Sequence, residues 1–197
     1  AAEPGRSALD GPAGSNSPYA SALLKHIAAG NYSFSDIMTL VTEEVYLVTD
    51  GRQLPWTNSA LRRVLSFGRP APETGDSDDA MILRGRRELL LTVSATPADV
   101  RAEVASIAEQ EKVPLAPMFG LLKAVGVDTD DPADLVARLQ AGAEEIKARL
   151  TALSAITTPD PQTRRLLELS RRAQAEGAVE EALAFSLRAS ARAAELS

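Results

Sequence analysis

The sequence predicts an α/β fold for the first third of the chain and an all-helical domain for the second half. The first third combines two helical stripes with a short β-prone run, Val64–Phe67. From residue 97 onward, the sequence predicts repeated helix starts, at positions where Thr or Asp precedes Pro. Between these parts, residues 69–81 are rich in Pro, Gly and acidic side chains, which predicts a flexible linker.

The composition excludes several kinds of site and partner. The 197 residues include no cysteine and one histidine, so disulfides, thiolate metal sites and a cysteine nucleophile are excluded from this chain. A net charge of −6 makes the chain a poor binder of nucleic acid. No apolar run approaches the roughly 20 residues that a membrane-spanning helix needs, so we expect no membrane partner. The lack of cysteine fits a reducing compartment, and we expect a cytoplasmic protein that begins upstream of Ala1.

The first third contains two predicted helices. The first begins at Pro18, because Ser17 offers a capping side chain and Pro suits the first helical position. The second follows the run Ser33-Phe34-Ser35-Asp36 and ends at Asp50-Gly51. Apolar residues recur at helical spacing in both. The predicted apolar faces comprise Leu23, Leu24, Ile27 and Ala28 in the first helix and Ile37, Val41, Val45 and Val48 in the second.

Helical signals dominate after the linker, with one ambiguous run. Leu89–Val93 fits either a short strand or the buried start of a helix, and we assign residues 82–96 as a short strand or connector. Pro114 and Pro117 predict a break between two helices. Residues 97–197 form the predicted helical domain. Its helices are expected to begin at Thr96-Pro97, Met118, Asp131-Pro132, Asp160-Pro161 and Val179.

Several segments of the first 68 residues together carry a family resemblance. They are Ser17–Ile27, Val45–Trp56 with its T-x-G-x-Q-x-P-W pattern, and Asn58–Phe67, preceded by Ala2–Gly5 and Leu9–Gly11. In order and spacing they resemble the C-terminal, small-subunit part of caspase-like cysteine peptidases, most of all the bacterial branch related to metacaspases. The resemblance covers residues 1–68, about a third of the chain.

The resemblance implies a fold, a set of partners and a location for the catalytic residues. The fold is the C-terminal part of a caspase-like three-layer α/β sandwich, followed here by the helical domain. The catalytic His and Cys of such peptidases lie on the large subunit, so this chain carries no catalytic residue of its own. The implied partners are the large-subunit part of the same peptidase and a peptide or protein substrate, with no cofactor and no metal. Whether the complete protein is an enzyme or a non-enzymatic interaction protein on a caspase-like scaffold stays open.

Asp10 is the principal candidate for substrate binding. The resemblance places it, with Ala8, where the small subunit contributes to the primary specificity pocket, and Glu3 can lend a second negative charge. A carboxylate in that position would pair with an Arg or Lys side chain of the substrate. The alternative is a simple turn, because Asp10-Gly11 is a common turn dipeptide, with Glu3 as a solvated loop acid.

The last two predicted helices carry a second resemblance. Ala173-x-Ala175-Glu-Gly177, Glu180–Leu183 and the Leu187–Ala191 spacing are similar to one tetratricopeptide-type helix pair. A generic helical hairpin is the equal alternative, since helices rich in Ala and Leu are common. From this tail we expect a regulatory or adaptor function, with a protein partner bound by the helices.

Three further features have structural and functional interpretations. His26 lies two residues away from the predicted apolar face, and we interpret it as structural, because no nucleophile or orienting acid is evident nearby. Trp56 is expected to pack in the core or at an interface, with the edge of a substrate cleft as the alternative. The acidic run Asp76–Asp79 lacks the spacing and the Gly of a calcium loop and is interpreted as solvated linker.

Overall fold

The structure is a computed structural model that describes residues 7–27, 32–66, 77–125 and 132–196. The chain divides into two compact units. Unit 1 comprises Ala1–Asp76 with Val93–Ala95, and unit 2 comprises Ser77–Thr92 with Thr96–Ser197. The helices of the described ranges are α1 (Pro18–His26), α2 (Phe34–Val48), α3 (Asp78–Ala95), α4 (Ala98–Glu111), α5 (Leu115–Val125), α6 (Pro132–Ala155), α7 (Pro161–Ala175) and α8 (Val179–Glu195).

The predicted α/β class is wrong for the described part of the chain, which is helical and contains no strand. Around the β-prone run, extended pairing is limited to an isolated antiparallel bridge between Ser33 and Ser66 and a 2.6 Å hydrogen bond from the amide of Phe34 to the carbonyl of Leu65. A strand needs a neighbouring strand to bond its backbone groups. Residues 64–66 find only the start of α2, so this stretch stays a loop and no part of a three-layer sandwich is formed; Phe67 lies outside the described residues.

Helix α1 begins where predicted but buries a different face. The amide of Ala20 donates to the Ser17 hydroxyl at 3.2 Å, which confirms the predicted cap. Ala22 and His26, four residues apart and therefore on one face, are buried, whereas Leu24 is 65% exposed. The predicted face was therefore wrong in part, and the polar His26 lies on the buried side. Ala28 and Gly30 lie outside the described residues.

Helix α2 confirms its predicted start and most of its stripe. Ser33 and Asp36 form a capping box in which each side chain accepts from the backbone amide of the other residue. Ile37, Val41 and Val45 are buried, but Val48 is 52% exposed. The buried line continues instead at Thr49, four residues after Val45, and the Thr49 hydroxyl donates to the Val45 carbonyl at 2.7 Å.

The ambiguous run Leu89–Val93 lies in α3, so residues 82–95 are helical and not a strand. Ile82, Arg86 and Leu89 recur at helical spacing and are all buried. Helix α3 also includes Asp78 and Asp79, which the sequence assigned to the linker. The other linker residues, up to residue 76, lie outside the described ranges.

Helices α4, α5 and α6 pack against one another in unit 2. Helix α4 ends at Glu111, and the capping residue that follows, Lys112, adopts the left-handed conformation with φ of 54°. Pro117 was expected to break a helix but is the third residue of α5, where the amide that Pro lacks would have no partner within the helix. No helix of the described residues is long and apolar enough to cross a membrane. The buried side chains include Val104, Ile107, Met118, Phe119, Leu122, Leu139 and Ala143.

Helices α7 and α8 form a tight antiparallel hairpin. Asp160 caps α7 as predicted, and Gly177 permits the turn between the helices by adopting a φ of +74°. The guanidinium of Arg86 on α3 donates to the carbonyl of Glu176 at 2.7 Å, which fixes the turn against α3. The core of this region comprises Ile82, Leu153, Leu166, Leu167, Leu169, Ala173, Ala178, Ala182, Phe185 and Ala189. Both interpretations of the tail, a tetratricopeptide-type helix pair and a generic helical hairpin, predict such a hairpin, so its presence does not distinguish them.

Candidate functional site

The main candidate site is the loop of residues 7–16, which precedes α1 in unit 1 and is called the Asp10 loop below. The side chains of Asp10 and Ala8 are exposed on it, and Leu9 between them is partly buried. Asp10 is therefore an accessible carboxylate that a cationic side chain can approach. Glu3, the third predicted residue, lies outside the described residues.

The Asp10 loop is bonded to the turn after α2 on the N-terminal side of Asp10 and is closely folded on itself on the C-terminal side. Before it, the amide of Leu9 donates to the side-chain oxygen of Gln53 at 2.9 Å. After it, a Cβ added at Gly11 would collide with the carbonyl of Asn16, so the backbone is closely folded here. The loop continues through a turn in which the Ser15 amide donates to the Pro12 carbonyl at 2.9 Å. The carboxylate is thus exposed while its two neighbours are held.

The T-x-G-x-Q-x-P-W segment, Thr49–Trp56, forms the turn that carries Gln53. Asp50 and Gly51 both have positive φ, at 49° and 74°, and reverse the chain after α2. The amide of Gln53 donates to the Thr49 hydroxyl at 3.0 Å, which closes the turn. Gln53 was part of the quoted pattern, but the sequence assigned it no function. The sequence signal that could have indicated Gln53 is a polar residue next to a tight turn. The structure shows that this residue is buried.

Trp56 does not pack in the core of unit 1, because 60% of its surface is exposed. Burial alternates along the segment before it, with Gln53 and Pro55 buried, so Trp56 points outward. It lines a surface groove of about 380 Å³ together with Tyr19, Leu23 and other residues of α1 and α2. The alternative that placed Trp56 at the edge of a cleft agrees with this position.

A second groove of about 720 Å³ lies between α2 and residues 57–65. Phe34 and Met38 line both grooves, so the two adjoin each other. Arg62, Arg63 and Glu43 bring both signs of charge to its lining, beside apolar side chains.

His26 is buried completely and bound to an acid of the neighbouring helix. Its Nε2 lies 3.1 Å from Oε2 of Glu44, and the Lys25 ammonium donates to Oε1 of the same carboxylate at 3.2 Å. Glu44 therefore joins α1 to α2 through both of its oxygens. The sequence missed this pair, because Glu44 and His26 are 18 residues apart and neither lies in a recognisable motif.

The acidic residues at the start of α3 contact arginines of unit 2. Asp78 accepts from Arg188 of α8 at 3.0 Å and lies 3.6 Å from Arg165 of α7. Asp79 forms an ion pair with Arg172 of α7. Within the described ranges, no group of three or more acidic or histidine side chains is placed to hold a metal ion.

Comparison with families of known proteins bears on unit 1. Residues 1–66 match the family model of the caspase domain. The match covers about a third of the chain and supports a caspase-like family for this region. No curated protein and no solved structure gave a match. The Asp10 loop, α1, α2 and the Thr49–Trp56 turn all lie within this caspase-like region.

The helices of unit 2 lie outside the caspase-like region. Helix α3 begins at Asp78, twelve residues after the end of the match at residue 66. On α8, Leu183 and Leu187 are 53% and 62% exposed and, being four residues apart, share one face of the helix. This region therefore presents an apolar surface that is separate from the residues matched to the caspase domain.

Proposed function

We propose that residues 1–66 are the C-terminal, small-subunit part of a caspase-like cysteine endopeptidase. The observation that carries the proposal is the agreement between the caspase-domain match and the Asp10 loop, an exposed carboxylate preceded by a residue that is hydrogen-bonded to Gln53. The catalytic Cys and His belong to the large-subunit part of the same protein, which is the partner of this region. The bacterial, metacaspase-related branch and a cytoplasmic location are parts of the same proposal, supported by the sequence patterns and by the lack of cysteine.

In this protein, a thiolate activated by the large-subunit His attacks the carbonyl carbon of the scissile peptide bond. The contribution of this chain is to hold the side chain that precedes that bond. Asp10, with Ala8 beside it and Glu3 as a further negative charge, forms the acidic wall of the specificity pocket. A guanidinium or ammonium group forms a charge-assisted pair with Asp10, whereas an acidic side chain is repelled. Cleavage therefore follows Arg or Lys.

The test uses the protein that contains both this chain and the large-subunit part. Peptides with Arg, Lys or Asp before the cleaved bond are compared in the wild type, in Asp10→Ala and in Asp50→Asn, a matched change of an exposed acid outside the loop. Removing one partner of a buried charged pair costs about 2–5 kcal/mol. We expect Asp10→Ala to lower kcat/KM for Arg peptides by roughly 30-fold or more, with an unchanged melting temperature and no effect of Asp50→Asn.

Two results would contradict the assignment. A wild type that prefers Asp peptides would exclude an acidic pocket. An Asp10→Ala variant that keeps full Arg preference but melts earlier would support the turn interpretation. The 197-residue chain by itself is expected to give background peptidase activity, because it contains no cysteine. Activity of this chain that disappears in His26→Ala would contradict the assignment of the catalytic residues to the large-subunit part.

The exposed leucines of α8 favour a second candidate, a non-enzymatic interaction protein. In it, the caspase-like region is a scaffold, and the helical unit is a regulatory or adaptor domain that binds a protein partner through a tetratricopeptide-like hairpin. The two candidates differ upstream of Ala1. A His-Gly and a downstream Asp-x-Cys pattern in the same reading frame support the peptidase, and substitution of both supports the scaffold.

A further inference from the structure

Gln53 has a buried side-chain amide that contacts the Asp10 loop from a distant part of the chain. Only 2% of its surface is exposed. Its Oε1 accepts the amide proton of Leu9 at 2.9 Å, across 44 residues of sequence. The amide of Leu9 belongs to the peptide plane between Ala8 and Leu9, so this bond fixes that plane, one residue before Asp10. If Oε1 lost this donor, the buried oxygen would keep its desolvation penalty without this compensating bond. The hydrogen bond therefore lowers the free energy of the folded state.

Gln53 is itself held by the end of α2. Its backbone amide donates to the hydroxyl of Thr49 at 3.0 Å, and that hydroxyl donates to the carbonyl of Val45 at 2.7 Å. Thr49 is 1% exposed, so solvent does not compete for these bonds. A continuous series of hydrogen bonds thus leads from the last turn of α2 to the amide of Leu9.

Asp10 itself takes no part in this series and stays exposed. On its other side, the close approach of Gly11 to the carbonyl of Asn16 limits the loop sterically. The two constraints differ in kind, since one is a hydrogen bond from a backbone amide to a side-chain oxygen and the other is a steric limit set by the nearby backbone. Removal of the hydrogen bond alone therefore frees the Leu9 side of the loop while the Gly11 side stays held.

We infer that Gln53 is a positioning residue for substrate charge preference, acting through Leu9 on Asp10. The inference rests on the proposed function of Asp10 in an Arg/Lys pocket. A carboxylate oriented in advance loses less entropy when it binds a guanidinium, and displacements of about 1 Å can cost about 100-fold in rate. Loss of the Gln53 contact lowers selectivity for cationic substrates and leaves the reaction of uncharged substrates unchanged.

The first test needs only the 197-residue chain. Hydrogen exchange of the Leu9 amide is measured in the wild type, in Gln53→Met, which has a similar length and no acceptor, and in Gln53→Glu, which retains a side-chain oxygen. We expect exchange at least about tenfold faster in Gln53→Met and close to wild type in Gln53→Glu, given the usual strength of one such bond. Unchanged exchange in a folded Gln53→Met would overturn the inference.

Thr49→Val and Thr49→Ser form a second pair that leaves the Gln53 side chain in place. Only Thr49→Ser keeps the hydroxyl that receives the Gln53 amide, so it should preserve slow exchange at Leu9, while Thr49→Val should accelerate it. This pair decides the question even if Gln53→Met does not fold. Equal exchange in the two Thr49 variants would contradict the series of bonds from α2.

The second test measures peptide cleavage by the protein that includes the large-subunit part. In Gln53→Met we expect the ratio of kcat/KM for an Arg peptide to that for a Gln peptide to fall about tenfold, through KM and not kcat, with recovery in Gln53→Glu. A uniform loss for both peptides would assign Gln53 a purely structural role and overturn the inference. A wild type without activity or Arg preference would overturn the proposed function instead, and Leu9 exchange would then decide the anchoring by itself.

Discussion

Unit 1 contains a buried carboxylate and a buried imidazole that the sequence did not indicate as a pair. Glu44 and His26 are 4% and 0% exposed and lie on facing helices. Burial of a charge is costly unless a partner compensates it, and both oxygens of Glu44 have one. The pair therefore specifies how α1 packs on α2, and with it the position of the Asp10 loop that leads into α1.

Glu44→Ala is expected to destabilise unit 1 by about 3–5 kcal/mol, because it removes the carboxylate that lies 3.1 Å from the buried Nε2 of His26. Lys25→Ala removes only the partner that is 28% exposed, and should cost less than about 1 kcal/mol. Urea unfolding followed by the fluorescence of Trp56, the single tryptophan of the chain, reports on this unit. Equal effects of the two substitutions would show that the His26–Glu44 contact contributes nothing to stability.

At the scale of the element, helix starts depend on single capping side chains, and α7 is the clearest case. A carboxylate oxygen of Asp160 accepts from the Thr163 amide at 2.8 Å and from the Thr163 hydroxyl at 2.7 Å. These bonds, the backbone one most of all, lower the pKa of Asp160 below its usual value of 3.8. The charged form is thus the one that the folded helix stabilises.

The stability that Asp160 contributes should depend on pH. Since its folded pKa is lowered, the contribution is complete above the unfolded value near 3.8 and is lost as the pH falls through the lower folded pKa. Asp160→Asn keeps a capping oxygen without the charge. We expect wild type to melt higher than Asp160→Asn at pH 7, with a difference that shrinks below about pH 3.8. Asp99→Asn, an exposed change in the first turn of α4, is the control; a constant Asp160→Asn difference down to pH 2 would contradict the mechanism.

At the scale of the whole molecule, the helical unit begins earlier than the sequence indicated. Ile82 belongs to the same core as Phe185, and Leu89 of α3 reaches the turn at Gly177. Arg86, also on α3 and buried, binds both the carbonyl and the carboxylate of Glu176. The predicted boundary at residue 97 would therefore remove a helix that completes this core.

Residues 77–197 are expected to fold as an independent helical unit, and residues 97–197 should be much less stable. Burial of a side chain such as Ile82 or Leu89 contributes about 1.5–3 kcal/mol each, so loss of both lowers stability by several kcal/mol. Circular dichroism melts of the two fragments measure this. Identical melting temperatures would show that α3 is dispensable, and an unstructured 77–197 fragment would contradict autonomous folding.

The sequence by itself determined the starts of several helices and excluded one class of catalytic residue from this chain. Ser17, Ser33 and Asp160 cap their helices within three residues, so the interaction is encoded locally and is visible as a pattern. The lack of cysteine excluded a cysteine nucleophile from this chain. The caspase-like resemblance likewise depended on local patterns, and the family match over residues 1–66 supports it.

Only the tertiary structure decided which faces are buried and which distant residues meet. Periodicity could not show that His26 lies inside and Leu24 outside, because both positions are determined by what packs against α1. Residues 64–66 have strand-forming side chains but no strand beside them in the described chain, and local propensity does not supply a partner. The contact of Leu9 with Gln53 joins segments 44 residues apart, and it exists because the turn after α2 buries an amide against the Asp10 loop.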